Sequence, residues 1–211
     1  MKVGIVFDMD GTLWDSTEQI WISWKSVLDE YGVSLSLNKL KSLMGKTMDV
    51  IGESILPDVP KKERDEIFER CYQVENEYLR KHGGVLYPEL ENTLIQLKKK
   101  YPLYIVSNCQ SGYIEAFLEY HKLGQYFEDF ECFGNTGRGK ADNEKLLAER
   151  NHLERVIYVG DIQGDYEATM EAGFEFVFAS YGFGNVEADV KKVTSFSQLP
   201  VLLDEMTKNE R

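Results

Sequence analysis

Short apolar and β-branched runs alternate with helical patterns through most of the chain. The runs lie at residues 3–7, 103–106, 129–133, 156–159 and 176–178, and apolar residues at helical spacing fill the intervals around Leu94, Phe117, Leu146 and Met170. Continuous apolar strands separated by helices are typical of parallel sheets that are covered on both faces. The pattern therefore predicts an α/β fold, with a Rossmann-like parallel sheet and helices on both of its faces.

The segment from residue 15 to residue 84 differs, because it shows only helical patterns. Ser16 and Gln19 have the spacing of a capping box, and apolar residues then recur at helical intervals until Gly32. The first strand has no partner within this segment, so it must pair with strands later in the chain. The sequence thus predicts an α/β core of residues 1–14 and 85–211, with an all-helical cap of residues 15–84 inserted after the first strand. The polar end, residues 207–211, is expected to fray.

Composition restricts the possible partners. The 211 residues carry 24 basic and 36 acidic side chains, which gives a formal net charge of -12. Nucleic acids and anionic membrane surfaces attract basic proteins, so neither is expected as a partner. The three cysteines are widely spaced without a CxxC pair, and no apolar run approaches membrane-spanning length. We therefore expect a cytoplasmic protein.

Charged and polar side chains follow the predicted strands at the point where each strand ends. They are Asp8, Asp10, Ser107, Asn108, Asp161 and Asp165, together with Lys140 after a glycine-rich stretch. Ligands of open parallel sheets bind at the carboxyl ends of the strands. Carboxylates gathered there repel each other unless a cation lies between them, so a Mg²⁺ site is the simplest explanation. A lysine and a hydroxyl at the same edge would complement a phosphate group.

Each of these groups also has a structural explanation. The two aspartates before Gly11 could be acidic turn residues, and the Ser-Asn pair could cap the next helix. Asp165 could cap its own helix, a role that is compatible with supporting a metal site. Arg138 lies two residues before Lys140 and is a second candidate for the cation that binds phosphate.

Four motifs occur in one order along nearly the whole chain. They are DxDGT at residues 8–12, a strand ending in Ser107-Asn108, the lysine at position 140, and GDxxxD at residues 160–165. This set resembles the motifs of the haloacid dehalogenase-like (HAD) hydrolase superfamily. The family's usual proline after the lysine is replaced here by Ala141.

The resemblance implies a role for each motif residue. Asp8 would be the nucleophile that forms an aspartyl phosphate, and Asp10 would protonate the leaving alcohol and later activate water. Ser107, Asn108 and Lys140 would bind the transferring phosphoryl group. Mg²⁺ would be bound by Asp8, by Asp10 through its main-chain carbonyl and by Asp161, with Asp165 supporting that site.

The helical insertion after the first motif is similar to the cap of the phosphoglycolate phosphatase-like and β-phosphoglucomutase-like branch. The run YGFG at residues 181–184 resembles a loop of the same branch, although a simple turn would look the same. The resemblance implies a Mg²⁺-dependent phosphatase that acts on a small-molecule phosphate monoester. A phosphosugar mutase and a non-catalytic module that binds a phosphorylated ligand are the alternatives. The sequence leaves open the identity of the ester and the oligomeric state.

Overall fold

A six-stranded parallel sheet forms the centre of the protein. The structure, a computed structural model, describes residues 2–208. The strands are β1 (Val3–Phe7), β2 (Trp14–Asp15), β3 (Val85–Leu86), β4 (Leu103–Ser107), β5 (Phe127–Cys132), β6 (Arg155–Gly160), β7 (Glu175–Ala179) and β8 (Lys192–Val193). The sheet has the order β5-β4-β1-β6-β7-β8, and all of its neighbouring pairs are parallel. β1 therefore lies in the interior of the sheet, between β4 and β6.

Helices account for most of the remaining described residues. They are α1 (Thr17–Leu28), α2 (Leu37–Lys41), α3 (Met48–Ile55), α4 (Lys61–His82), α5 (Leu90–Lys98), α6 (Tyr113–His121), α7 (Phe133–Thr136), α8 (Lys140–Arg150), α9 (Gln163–Ala172) and α10 (Leu199–Lys208). Thr207 and Lys208, part of the polar end that was expected to fray, belong to α10, and the rest of that segment lies outside the described residues. Within the part of the chain that the structure describes, no helix has the length and apolar character needed to cross a membrane.

Both faces of the sheet are covered, as the apolar runs predict. Side chains alternate along a strand, so Ile5 and Phe7 belong to one apolar cluster and Val6 belongs to another. The cluster around Val6 includes Leu147 of α8, and the cluster on the opposite face includes Leu94 of α5. The predicted fold class, a parallel sheet between two layers of helices, is confirmed.

The helices α1 to α4 lie between two short strands that pair with each other. Trp14 and Asp15 of β2 pair antiparallel with Leu86 and Val85 of β3. The chain therefore leaves the sheet after β1 and returns beside its point of departure. This ribbon coincides with the predicted borders of the insertion. The division into a core and a cap stays a prediction about domains.

Two local expectations were wrong. Ser16 precedes α1 but makes no side-chain cap bond, because its hydroxyl donates to Asp10 instead. The carboxylate of Asp15, rather than the hydroxyl of Ser16, accepts the backbone N–H of Thr17 at the start of α1. The strand expected at residues 129–133 is β5, which begins earlier, because Phe127 pairs with Leu103 and Phe133 already opens α7.

Candidate active site

The carboxyl ends of three adjacent strands bring the predicted residues to one edge of the sheet. Asp8 directly follows β1, and its backbone N–H donates to the carbonyl of Val159 in β6 at 2.9 Å. Ser107 is the last residue of β4, and Asp161 directly follows β6. Because β4 and β6 flank β1, the ends of these strands meet around Asp8.

Lys140, the first residue of α8, is buried between two aspartates. Its Nζ lies 2.7 Å from Oδ1 of Asp8 and 2.5 Å from Oδ1 of Asp165, and the residue is 4% exposed. Burial disfavours a charged lysine, but Asp165 and Asp8 outweigh burial and raise its pKa. Lys140 therefore carries a positive charge in the site. Arg138, the other candidate cation, is exposed, so Lys140 is the one that reaches the aspartates.

The second oxygen of Asp165 fixes the start of α9. Oδ2 accepts the backbone N–H groups of Asp161 at 3.0 Å and Ile162 at 3.2 Å. These donors belong to the turn between β6 and α9. Asp165 thus links the turn that carries Asp161 to the ammonium group of Lys140.

Asp161 is enclosed by backbone from two loops. Its Oδ2 accepts the N–H of Phe183 at 2.7 Å, and its Oδ1 accepts the hydroxyl of Thr12 at 3.3 Å. Gly11 has a φ of 86°, and a Cβ placed there would lie 2.1 Å from Oδ2 of Asp161. A Cβ on Gly182 would lie 2.4 Å from the carbonyl oxygen of Gly11. Both glycines are required because a side chain at either position would displace this carboxylate.

Three of the aspartates form a cluster that fits a hard divalent cation. One carboxylate oxygen each of Asp8, Asp161 and Asp165 lies within 4.8 Å of the others, and all three residues are buried. Burial raises the pKa of Asp8 to about 7, although Lys140 acts in the opposite direction. Burial, together with the charges of Asp165 and Asp8, raises the pKa of Asp161 well above its usual value. One lysine does not neutralise three buried carboxylates. The all-oxygen donor set suits Mg²⁺.

Asp10 lies in a different environment from Asp8. Its Oδ1 accepts the hydroxyl groups of Ser16 at 2.5 Å and Tyr113 at 2.6 Å. Burial raises the pKa of Asp10 to about 6, against the two hydroxyl groups, which favour the charged form. The side chain of Asp10 is not part of the three-aspartate cluster. Because both hydroxyls bind one oxygen, Oδ2 is free of them.

Ser107 and Asn108 occupy the side of the site that faces the helical insertion. Ser107 is buried at the end of β4, and the amide nitrogen of Asn108 donates to the carbonyl of Gly45 at 3.1 Å. Gly45 lies between α2 and α3, so this bond joins the two parts of the chain. The carbonyl oxygen Oδ1 of Asn108 is buried without a hydrogen-bond partner among the described residues. A buried polar atom of this kind needs a donor, which a bound ligand or water can supply.

A cavity of about 30 Å³ lies between the carboxylates and the insertion. Its walls include Asp8, Asp10 and Ser107 from the edge of the sheet and Trp24, Met48 and Glu75 from the helices. Such a volume holds roughly one or two water molecules. A phosphate ester is larger than this space, so we expect the insertion to shift relative to the sheet when one binds.

All seven residues that the sequence singled out lie at this edge of the sheet. The structure adds two side chains that the sequence analysis did not single out. Tyr113 bonds Asp10, and Glu75 lines the cavity. Tyr113 gave no sequence signal, because it is one of several aromatic residues on an amphipathic helix. Glu75 did give one, since it stands four residues from both Cys71 and Leu79 and so falls on the buried face of α4.

The fold and this edge together define a class of protein: an α/β protein whose charged groups follow the strands and whose helical insertion follows the first strand. A family model described as haloacid dehalogenase-like hydrolase matches residues 5–179, and the chain belongs to this family. The predicted family is thus confirmed.

Two curated relatives and one solved structure extend the comparison. Phosphoglycolate phosphatase of Aquifex aeolicus is 29% identical over 197 residues, which cover 90% of this chain and 90% of the relative. Phosphoglycolate phosphatase of Escherichia coli K12 is 25% identical over 213 residues, which cover 88% of this chain and 84% of the relative. A haloacid dehalogenase-like hydrolase from Bacteroides fragilis superposes with a TM-score of 0.83 at 22% identity, covering 94% of this chain and 100% of that one. The predicted enzyme class, a phosphoric monoester hydrolase, is confirmed by the family and these relatives.

The hydrogen bond from Tyr113 to Asp10 predicts a measurable pKa change. Tyr113→Phe removes a donor that favours the charged carboxylate, so the pKa of Asp10 should rise above about 6, by roughly one pH unit. Titration of ¹³C-labelled carboxyl groups by NMR would measure this change. Tyr120→Phe, an exposed tyrosine on the same helix, is the matched control. An unchanged or lower pKa of Asp10 in Tyr113→Phe would contradict the assignment.

Proposed function

We propose that this protein is a Mg²⁺-dependent phosphatase that hydrolyses a small-molecule phosphate monoester through a phosphorylated Asp8. The observation that carries the proposal is the contrast between two carboxylates two residues apart. Asp8 contacts a lysine and belongs to the acidic cluster, whereas Asp10 is held by two neutral hydroxyl groups. Two environments of this kind suit a nucleophile and a proton-transfer group, respectively.

In the first step, a carboxylate oxygen of Asp8 attacks phosphorus and forms an acyl phosphate. The bond between phosphorus and the ester oxygen breaks, and Asp10 gives its proton to the departing alcohol. The raised pKa of Asp10, about 6, keeps part of this group protonated near neutral pH, whereas Lys140 lowers the pKa of Asp8 and bound Mg²⁺ would lower it further, so that Asp8 is ionised for attack. Oδ2 of Asp10, which Ser16 and Tyr113 leave free, is the oxygen suited to carry the proton.

In the second step, a water molecule attacks the phosphorus of the acyl phosphate. Asp10, now a carboxylate, takes a proton from that water, and the bond between phosphorus and Asp8 breaks. Inorganic phosphate leaves, and both aspartates return to their starting states. With the insertion packed on the sheet, the cavity has room for roughly one or two water molecules, which suits a step that needs only one.

Lys140, Ser107 and Asn108 would hold the phosphoryl group during both steps. The ammonium group of Lys140 already lies beside Asp8, the attacking residue, and so is placed to offset negative charge on the phosphoryl oxygens. Asp8 and Asp161 would hold Mg²⁺ together with the main-chain carbonyl of Asp10, and Asp165 would support them. Bound Mg²⁺ would screen the negative charges of Asp8 and the phosphate from each other.

The division into a core of residues 1–14 and 85–211 and a cap of residues 15–84 belongs to the same proposal. Helices of the cap would open to admit the ester and close to exclude bulk water. A mutase would need cations on the cap for a second phosphate. Among the described residues that line the cavity, Lys46 is the only cation, and it is exposed, so the phosphatase is favoured. The names of the curated relatives make phosphoglycolate the first ester to assay.

Asp8→Asn tests the nucleophile. The amide cannot form the acyl phosphate, so kcat should fall by a factor on the order of 10⁴ or more. Steady-state kinetics with p-nitrophenyl phosphate would measure the loss, and circular dichroism would show that the fold is kept. Asp29→Asn, at an exposed site on the insertion, is the control. A folded Asp8→Asn enzyme with wild-type turnover would remove Asp8 from this role.

Chelation tests the metal. EDTA should abolish activity, and added Mg²⁺ should restore it, whereas Ca²⁺ should support little turnover because it prefers looser and higher coordination. Asp161→Asn should raise the Mg²⁺ concentration needed for half-maximal rate. Full activity after exhaustive chelation would refute the metal requirement.

Paired variants test the phosphate-binding cation. Lys140→Ala should lower kcat by roughly 10²-fold or more, because it removes a preorganised charge from the transition state. Arg138→Ala should change kcat little, since that side chain is exposed. A severe loss in Arg138→Ala with near-normal turnover in Lys140→Ala would show that Arg138 is the functional cation.

A further inference from the structure

Glu75 is a buried carboxylate that the proposed chemistry does not use. It lies on α4 of the insertion, is 2% exposed, and lines the same cavity as Asp8 and Asp10. Its Oε2 accepts the indole N–H of Trp24 at 2.5 Å. Burial raises the pKa of Glu75 to about 8, opposed by the amide of Gln110 and the indole of Trp24 and reinforced by the charge of Asp10.

A structural role in the insertion does not require a carboxylate at this position. The indole N–H of Trp24 needs one neutral acceptor, which a glutamine would supply without burying a charge. A buried carboxylate is costly unless a cation pairs with it. Within residues 2–208, no lysine, arginine or histidine forms an ion pair with Glu75, although the structure gives ion pairs to several exposed carboxylates. Glu75 therefore faces the cavity without a counter-ion, and its raised pKa favours the neutral acid until a cation binds beside it.

On the side of the insertion, the described wall around Glu75 is otherwise mainly apolar, and its one other charged side chain, Lys46, is exposed. Ile20 and Trp24 of α1, Leu40 of α2, and Met48 and Ile51 of α3 contribute to it. A ligand that extends from Asp8 into this space thus meets hydrocarbon side chains and then a carboxylate. Such a surface accepts a short carbon chain that ends in a positive charge. A chain that ends in a carboxylate would find no cation at Glu75, and it would meet a like charge there whenever Glu75 is ionised.

We propose that Glu75 binds a primary ammonium group on the leaving alcohol, which makes phosphate monoesters of amino alcohols the substrate class of this enzyme. This inference rests on the proposed phosphatase function and adds the identity of the leaving group. The ammonium group supplies the counter-ion that Glu75 lacks, and the apolar wall packs against the carbon chain. The phosphate end lies at Asp8 and Lys140, and the ammonium end lies at α4.

Three matched series of esters test the proposal on the wild-type enzyme with Mg²⁺. They are ω-aminoalkyl phosphates of two to five carbons, n-alkyl phosphates of equal length, and ω-carboxyalkyl phosphates that begin with phosphoglycolate. At the best chain length, kcat/KM should be about 10-fold or more higher for the amino ester than for the alkyl ester, as expected for a hydrogen bond to a charged group. The carboxyalkyl esters should be the poorest substrates.

Glu75→Gln isolates the carboxylate, because glutamine keeps the size and the acceptor for Trp24. The ratio of kcat/KM between amino and alkyl esters should fall toward one, mainly through a higher KM for the amino ester. Glu66→Gln, an exposed position on the same helix, should leave the wild-type ratio unchanged. Circular dichroism and the thermal midpoint would verify the fold. If Glu75→Gln does not fold, the comparison of the three ester series on the wild-type enzyme still tests the proposal.

The outcomes separate the two proposals. Equal kcat/KM for amino and alkyl esters, or a preference for carboxyalkyl esters, would overturn the role of Glu75 while leaving the phosphatase intact. A preference for amino esters that persists in folded Glu75→Gln would also overturn it. Failure to hydrolyse any of the esters, including p-nitrophenyl phosphate, would overturn the phosphatase and the inference with it.

Discussion

The buried contact of Lys140 with Asp8 and Asp165 is the interaction on which the site depends. The two aspartates follow different strands, and the lysine comes from the start of α8, so the contact forms only when the parallel sheet has been assembled. Without that cation, three buried carboxylates would face one another at a single edge. One lysine offsets part of their charge and leaves the remainder for a divalent cation. The strand order that places β1 between β4 and β6 is therefore a condition for the chemistry as well as for the fold.

The environments of the carboxylates give each a different task. Asp8 contacts a permanent cation, Asp10 contacts two hydroxyl groups, and Glu75 contacts an indole N–H on the side of the insertion. The first two residues come from one loop and differ only in which neighbours the fold brings to them. The third comes from a helix that begins far from that loop in sequence. In this account, the sheet supplies the reaction and the insertion supplies the choice of ester.

The sequence predicted those features that rest on local patterns. Apolar runs identified five of the six strands of the main sheet, because strands buried on both faces have no polar side to interrupt them. Polar residues directly after those runs identified the edge where the site lies. Lys140 could be singled out although Ala141 replaces the family's usual proline, since the lysine still opens a helix at that edge. The strands β2, β3 and β8, which were not predicted, have two residues each, and that is too short for any pattern to appear.

Long-range contacts could not be predicted from local patterns. The hydroxyl of Tyr113 reaches Asp10 across 103 positions of the chain, and the same contact network draws Ser16 away from its expected helix cap. The spacing of Glu75 on α4 did indicate burial, but a glutamate on a highly charged helix is usually solvated. Its role depends on a cavity that exists only when the insertion packs on the sheet.

Chemical trapping of the phosphorylated enzyme tests the central claim, that Asp8 carries the phosphoryl group, most directly. The enzyme would be mixed with excess ester and Mg²⁺, quenched in acid during turnover, and reduced with borohydride, which converts an acyl phosphate of aspartate into homoserine. Tandem mass spectrometry of the peptide that contains residues 3–15 should then find homoserine at position 8 and unmodified aspartate at position 10. Turnover with no homoserine at position 8, or with homoserine at another aspartate, would contradict the account.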